Sequence, residues 1–69
     1  MIGVFKTNVL QVKQARMLLE KLAEHFPKHK INFDLSDCDK ILRVKGKNIS
    51  AKKIIELLNK ATYQCEVLE

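Results

Sequence analysis

The chain has 69 residues, with 13 Lys+Arg against 8 Asp+Glu for a net charge of +5, and is 46% hydrophobic. That length suits a single domain over residues 1–69 with a thin core, and no multi-substrate active site, long linker or separate regulatory domain is expected. No apolar run approaches the ~18–20 residues that span a bilayer, and the opening Met1–Lys6 has no signal-peptide character. Two cysteines, Cys38 and Cys65, supply at most one disulfide. A disulfide-dense secreted scaffold is therefore not expected, and a reducing cytoplasm is the expected location.

In chain order, Phe5, Thr7 and Val9 alternate with Val4, Lys6 and Asn8, which predicts a half-buried strand over Gly3–Val9. The period then changes. Val12, Ala15, Leu19, Leu22 and Phe26 fall at spacings of 3, 4, 3 and 4, the apolar stripe of an amphipathic helix that Pro27 ends. Asn8, three residues before Gln11, is expected to open this helix as a capping box, with Gln14 facing solvent. A second alternating run places Ile31, Phe33 and Leu35 on one face and Asn32 and Asp34 on the other. Ser36-Asp37-Cys38-Asp39 is turn-like. Alternation resumes over Lys40–Lys45, with Leu42 and Val44 inward and Ile41, Arg43 and Lys45 outward. Gly46-Lys47-Asn48 breaks it, and Ser50 is a suitable N-cap for a helix with the stripe Ala51, Ile54, Leu58 and Ala61. A last short strand is predicted over Tyr63–Leu68, with Cys65 in phase with Tyr63 and Val67 as a small core residue.

The order βαββαβ predicts an α+β, ferredoxin-like fold, a four-stranded antiparallel sheet covered on one face by two helices. The usual sheet order is 4-1-3-2. That gathers Asn8–Gln11, Asp37–Asp39 and Ala61–Tyr63 at one end, and Pro27–Lys30 with Gly46–Ile49 at the other.

With these elements in place the chain resembles the heavy-metal-associated (HMA) domain family, which includes copper chaperones and the metal-binding modules of P-type ATPases. Ile31-Asn32-Phe33-Asp34-Leu35 is similar to the family's V-x-V-x-L second strand. Leu57–Tyr63 resembles the end of its second helix and the following "GY" turn, with Thr62 in place of the glycine, while Pro27 stands where the family usually has Gly. The family's metal motif is M-x-C-x-x-C between the first strand and helix. Counting back from Pro27 aligns Val9 with its Met and Gln11 and Gln14 with its two cysteines, so the motif is replaced by Gln11-Val12-Lys13-Gln14. Cu(I) is a soft ion that requires thiolates, and an amide oxygen is a hard, weak substitute. The resemblance therefore implies the frame without the metal, and no cofactor is expected.

Cys38 falls in the hairpin between the second and third strands and Cys65 on the fourth, at the opposite edge. At ~4.8 Å per strand they are roughly 10–14 Å apart, too far to share a disulfide or an ion within one chain. Asp37 and Asp39 flank Cys38 and oppose its thiolate. His25 and His29 have helical spacing, but Pro27 lies between them. With no Gly-rich phosphate loop, Ser/His/Asp grouping or carboxylate pair, no enzyme is expected.

From Lys40 to Lys53 the chain carries six cations and no acid. Such a stretch suits a solvated surface or docking to an acidic protein surface. RNA-recognition modules of this topology stack bases on open-face aromatics, and here Phe5 and Phe33 are predicted inward, which counts against nucleic acid. The expected function is a non-catalytic protein-interaction or regulatory module. By the resemblance, docking maps to the metal end, with Lys13, Arg16 and Lys60 as cationic contacts, Val9 and Leu10 as apolar ones, and Tyr63 in the adjoining turn. The alternative is a heavy-metal (Cu(I) or Zn) binding or transfer protein that uses Cys38 or Cys65 across a dimer. A third hypothesis is nucleic-acid binding through Arg43 and Lys45.

Overall fold

The computed structural model describes residues 2–68; Met1 and Glu69, the ends of the expected domain, lie outside the described residues. Strands β1 (Ile2–Thr7), β2 (Lys30–Asp34), β3 (Ile41–Lys45) and β4 (Cys65–Val67) alternate with helices α1 (Val12–His25) and α2 (Ala51–Lys60) in the order βαββαβ. The strands form one sheet, β2-β3-β1-β4, which is 4-1-3-2 read from the other edge. Each contact between neighbours is antiparallel, so β1 and β2 run parallel to each other with β3 between them. Against this sheet α1 packs on β2, α2 packs on β4, and the helices touch each other. No helix among the described residues is long and apolar enough to cross a membrane.

Alternation sends Phe5 and Thr7 of β1, with Leu42 and Val44 of β3, to the helix side. All four are buried, together with Ala15, Leu18 and Leu22 of α1 and Ile54 and Leu58 of α2. The core stripe of α1 is thus Ala15, Leu18 and Leu22, rather than Val12, Ala15, Leu19 and Leu22. Val12 opens the helix and is 63% exposed, while Leu19 is only half-buried. Both stripes keep the spacing of 3 and 4 through Ala15 and Leu22. The helix's position across the sheet chooses between them.

Two strand bounds are also corrected, and one outward residue is covered. The ladder of β1 stops at Thr7 instead of Val9, because the Thr7 hydroxyl donates to the Lys40 carbonyl at 2.6 Å and accepts the Val9 N–H at 3.3 Å. Strand β4 is confined to Cys65–Val67, with Cys65 buried and Val67 exposed at the sheet edge. Ile41 lies on the outward face, as expected, outside the helix-side core, yet has only 3% of its surface exposed. It is registered between Lys6 of β1 and Asp34 of β2. Those neighbours hold the ion pairs Lys6–Asp39 at 3.8 Å and Arg43–Asp34 at 3.6 Å, so Ile41 sits on the open face between two ion-paired strands.

At the end of α2, Thr62 takes φ +71°, the left-handed region that glycine favours. Its N–H donates to the Asn59 carbonyl and the Tyr63 N–H to the Leu58 carbonyl, at 3.0 and 2.9 Å. This pair of bonds is a Schellman ending, and it aims the chain back along the sheet as β4. At the other end of the sheet Gly46 makes room for His29. A Cβ there would stand 2.5 Å from the imidazole Cδ2. The ring is held by a 2.7 Å hydrogen bond between Nε2 and the Lys47 carbonyl and by an edge-on contact with Phe26.

Candidate functional site

The resemblance directs attention to the opening of α1. Gln11 is the N-cap residue, in extended backbone, and Gln14 is the third residue of the helix. Gln14 Oε1 accepts the Gln11 N–H at 3.3 Å, so its amide closes the first turn rather than facing solvent freely. Asn8 does not take part. Its Oδ1 accepts the Gln64 N–H at 2.9 Å and ties the β1–α1 loop to the α2–β4 connection across 56 residues of sequence. Both Asn8 and Gln11 precede a Gln11 or Gln14 by three residues, so spacing alone does not distinguish which one caps.

The donor set at this opening consists of two amides, one already engaged, with Lys13 between them. It does not fit a soft cation. The cysteines lie where the sequence places them. Cys38 is exposed in the β2–β3 hairpin, and Cys65 is buried on β4 at the far edge of the sheet from β2. Burial, aided by the neighbouring Glu66 carboxylate, pushes the Cys65 thiol up to about 11. Ligand atoms of Asp37, Cys38 and Asp39 lie within 4.8 Å of one another. Two of the three already have other partners. Asp37 Oδ1 accepts the Asp39 N–H at 2.9 Å, and Asp39 pairs with Lys6. The Asp34 carboxyl, at the end of β2, is held below its ordinary value chiefly by the Ser36 hydroxyl, which donates to it at 2.6 Å.

The expected docking residues are brought only partly together. Val9 is fully buried, at 0% exposure, and belongs to the core instead of the surface. Its phase with Phe5 and Thr7 is the signal for that, since the β1 alternation continues through the loop. Leu10 is 70% exposed beside Gln11 and presents the apolar surface that was expected of Val9. Lys13 and Arg16 are exposed on α1, but Arg16 lies on the β2 side, in a groove with Val12, Leu19, Phe33 and Leu35. Tyr63 is half-buried on the opposite flank, in a groove with Gln14, Met17, Lys21 and Ala61. Lys60 lies between the helices with His25, Phe26 and Glu56. The set is therefore spread over both flanks of α1 and the groove between the helices, and does not form one patch. Met17, 58% exposed beside Tyr63, is a surface apolar residue that the sequence-based set omits. Its i+3 spacing from Gln14 is the cue that places it on that flank.

No family model, curated protein or solved structure matches the chain.

Proposed function

We propose that this chain is a non-catalytic protein-interaction or regulatory module, built on a copper-chaperone-like frame that has lost its metal ligands. The observation that carries this reading is the use of Gln11 and Gln14. The two residues aligned with the family's thiols open α1 as its N-cap and the amide that closes its first turn. A supporting detail comes from the other side of the same end. Thr62, aligned with a family glycine, occupies a left-handed conformation natural to glycine, as a retained frame requires. Docking on this reading uses Leu10 and Lys13 at the opening of α1, with Met17 and Tyr63 on one flank and Arg16 on the other. The net charge of +5 favours an acidic protein surface as partner.

The test is titration of the reduced protein with Cu(I) against a competing chelator. The expected result is no competition. Sub-micromolar binding that is abolished by Cys38→Ser would replace this proposal with metal binding through the hairpin cysteine.

A further inference from the structure

Strand β2 is an outer strand of five residues whose one hydrogen-bonded neighbour among the described residues is β3. Its other side presents a row of backbone N–H and C=O groups to whatever can pair with them. We propose that a second copy of this chain pairs there, β2 against β2, antiparallel about Asn32, joining the two sheets edge to edge.

The strand Lys30-Ile31-Asn32-Phe33-Asp34 is complementary to itself. With two copies antiparallel and Asn32 opposite Asn32, each Lys30 stands across from the other copy's Asp34 and each Ile31 across from the other copy's Phe33. Opposite charges and apolar pairs facing each other are the contacts that stabilise neighbouring strands. The pairing also resolves a mismatch inside each copy. Lys30 is registered directly opposite Lys45 of β3, a like-charge pair, and among the described residues it makes no ion pair. Asp34 engages Ser36 and Arg43 within its own chain and keeps a partly exposed carboxylate, 34% open, at the other end of the strand.

The helix side favours the same arrangement. Along this edge α1 lays Val12, Arg16 and Leu19 over a groove shared with Phe33 and Leu35, and Val12 is largely exposed. A second sheet continuing the first brings its own α1 alongside, so that two such apolar borders cover each other. The opposite edge has no comparable capacity. Strand β4 has three residues, Cys65-Glu66-Val67, and a two-fold pairing there opposes Glu66 to Glu66. A lysine on an edge strand discourages pairing with foreign strands. Here it admits a strand that places an acid opposite it, which its own copy does. This surface adjoins the opening of α1 at Val12 and Arg16, but the pairing is argued from β2 itself and does not depend on the proposed function.

Sedimentation of the full chain from about 10 µM to about 1 mM tests it, a range suited to a modest interface. A concentration-dependent dimer is expected. Lys30→Asp and Asp34→Lys each turn two attractive cross-strand pairs into two repulsive ones, and each is expected to weaken dimerisation roughly tenfold or more. An equimolar mixture of the two variants is expected to recover a heterodimer of wild-type affinity, because every reversed charge then meets its complement. Thermal melting confirms that both variants fold; should Asp34→Lys lose its fold with the Ser36 and Arg43 contacts, Lys30→Asp alone decides. A wild-type chain that stays monomeric throughout, a dimer unchanged by Lys30→Asp, or a mixture of folded variants that does not associate would each overturn the proposal.

Discussion

Replacing Gln11 and Gln14 together by cysteine, in a Cys38→Ser background, rebuilds the thiol pair at the place where the resemblance locates it. The apo variant loses the 3.3 Å bond from the Gln11 N–H to Gln14, a solvent-exposed contact at a helix start. Such a loss costs about 0.5–1 kcal/mol. In a domain of this size each kcal/mol moves Tm by roughly 4–8 °C, so the apo variant should melt about 2–8 °C below the background protein. Thiolates at this position gain from the positive end of α1 and hold Cu(I) well. A ligand that binds only the folded state at a free concentration 100 times its Kd adds about 2.7 kcal/mol, which reverses the sign and raises Tm by more than about 10 °C. The assay is anaerobic thermal melting by circular dichroism, with Cu(I) buffered by a chelator and a reductant that does not bind copper. The background protein should show no shift. An equal shift in the background protein would mean that its ligands lie elsewhere in the chain. No shift in the variant would mean that the opening of α1 does not present positions 11 and 14 as the family frame does.

Thr62→Gly should stabilise the chain by about 0.5–1 kcal/mol, seen as a higher urea midpoint, since relief of the left-handed strain exceeds the added freedom of the unfolded state. Gly46→Ala drives a methyl into the His29 ring and should cost about 1–2 kcal/mol by displacing it from the Lys47 carbonyl. In a His29→Ala background the same change should be nearly neutral, and a full cost there would refute the contact. With a thiol reagent near neutral pH, Cys38 should react promptly in the native protein and Cys65 far more slowly until the chain is denatured. Because the folded state raises the Cys65 thiol from 9.0 to about 11, its share of stability is whole below pH 9 and is lost as pH climbs toward 11. Urea midpoints measured across that window should fall in the wild type and fall less in Cys65→Ala.

Much of the fold is legible in residue pattern because its periods are unambiguous. Phe5 and Thr7 alternate into the core, Ile54 and Leu58 recur at helical spacing, and Ser50 accepts the Lys53 N–H at 3.4 Å as an N-cap should. Elsewhere two local solutions are equally good and only packing selects one. The α1 stripe can run through Leu18 or Leu19, and a glutamine lies three residues after both Asn8 and Gln11. The low exposure of Ile41 escapes a period-of-two reading for a different reason: alternation reports which face a side chain takes but not how far its surroundings cover it. The candidate site was legible as a place on the chain, and less so as a surface. Arg16 and Tyr63 are both expected at the metal end by the resemblance, yet they line grooves on opposite flanks of α1, and that separation follows from the helix's rotation about its axis.

The shortest element of the sheet also carries a reporter of its own motion. Three residues of β4, the bond from the Leu68 N–H to the Val4 carbonyl and the Asn8–Gln64 tie fasten the end of the chain, and beneath that fastening lies the Cys65 sulfur. Covalent labelling of the sulfur can proceed only while the final segment is peeled away. The labelling rate therefore counts those excursions, separately from global unfolding, and gives a clock for how firmly the last strand is latched.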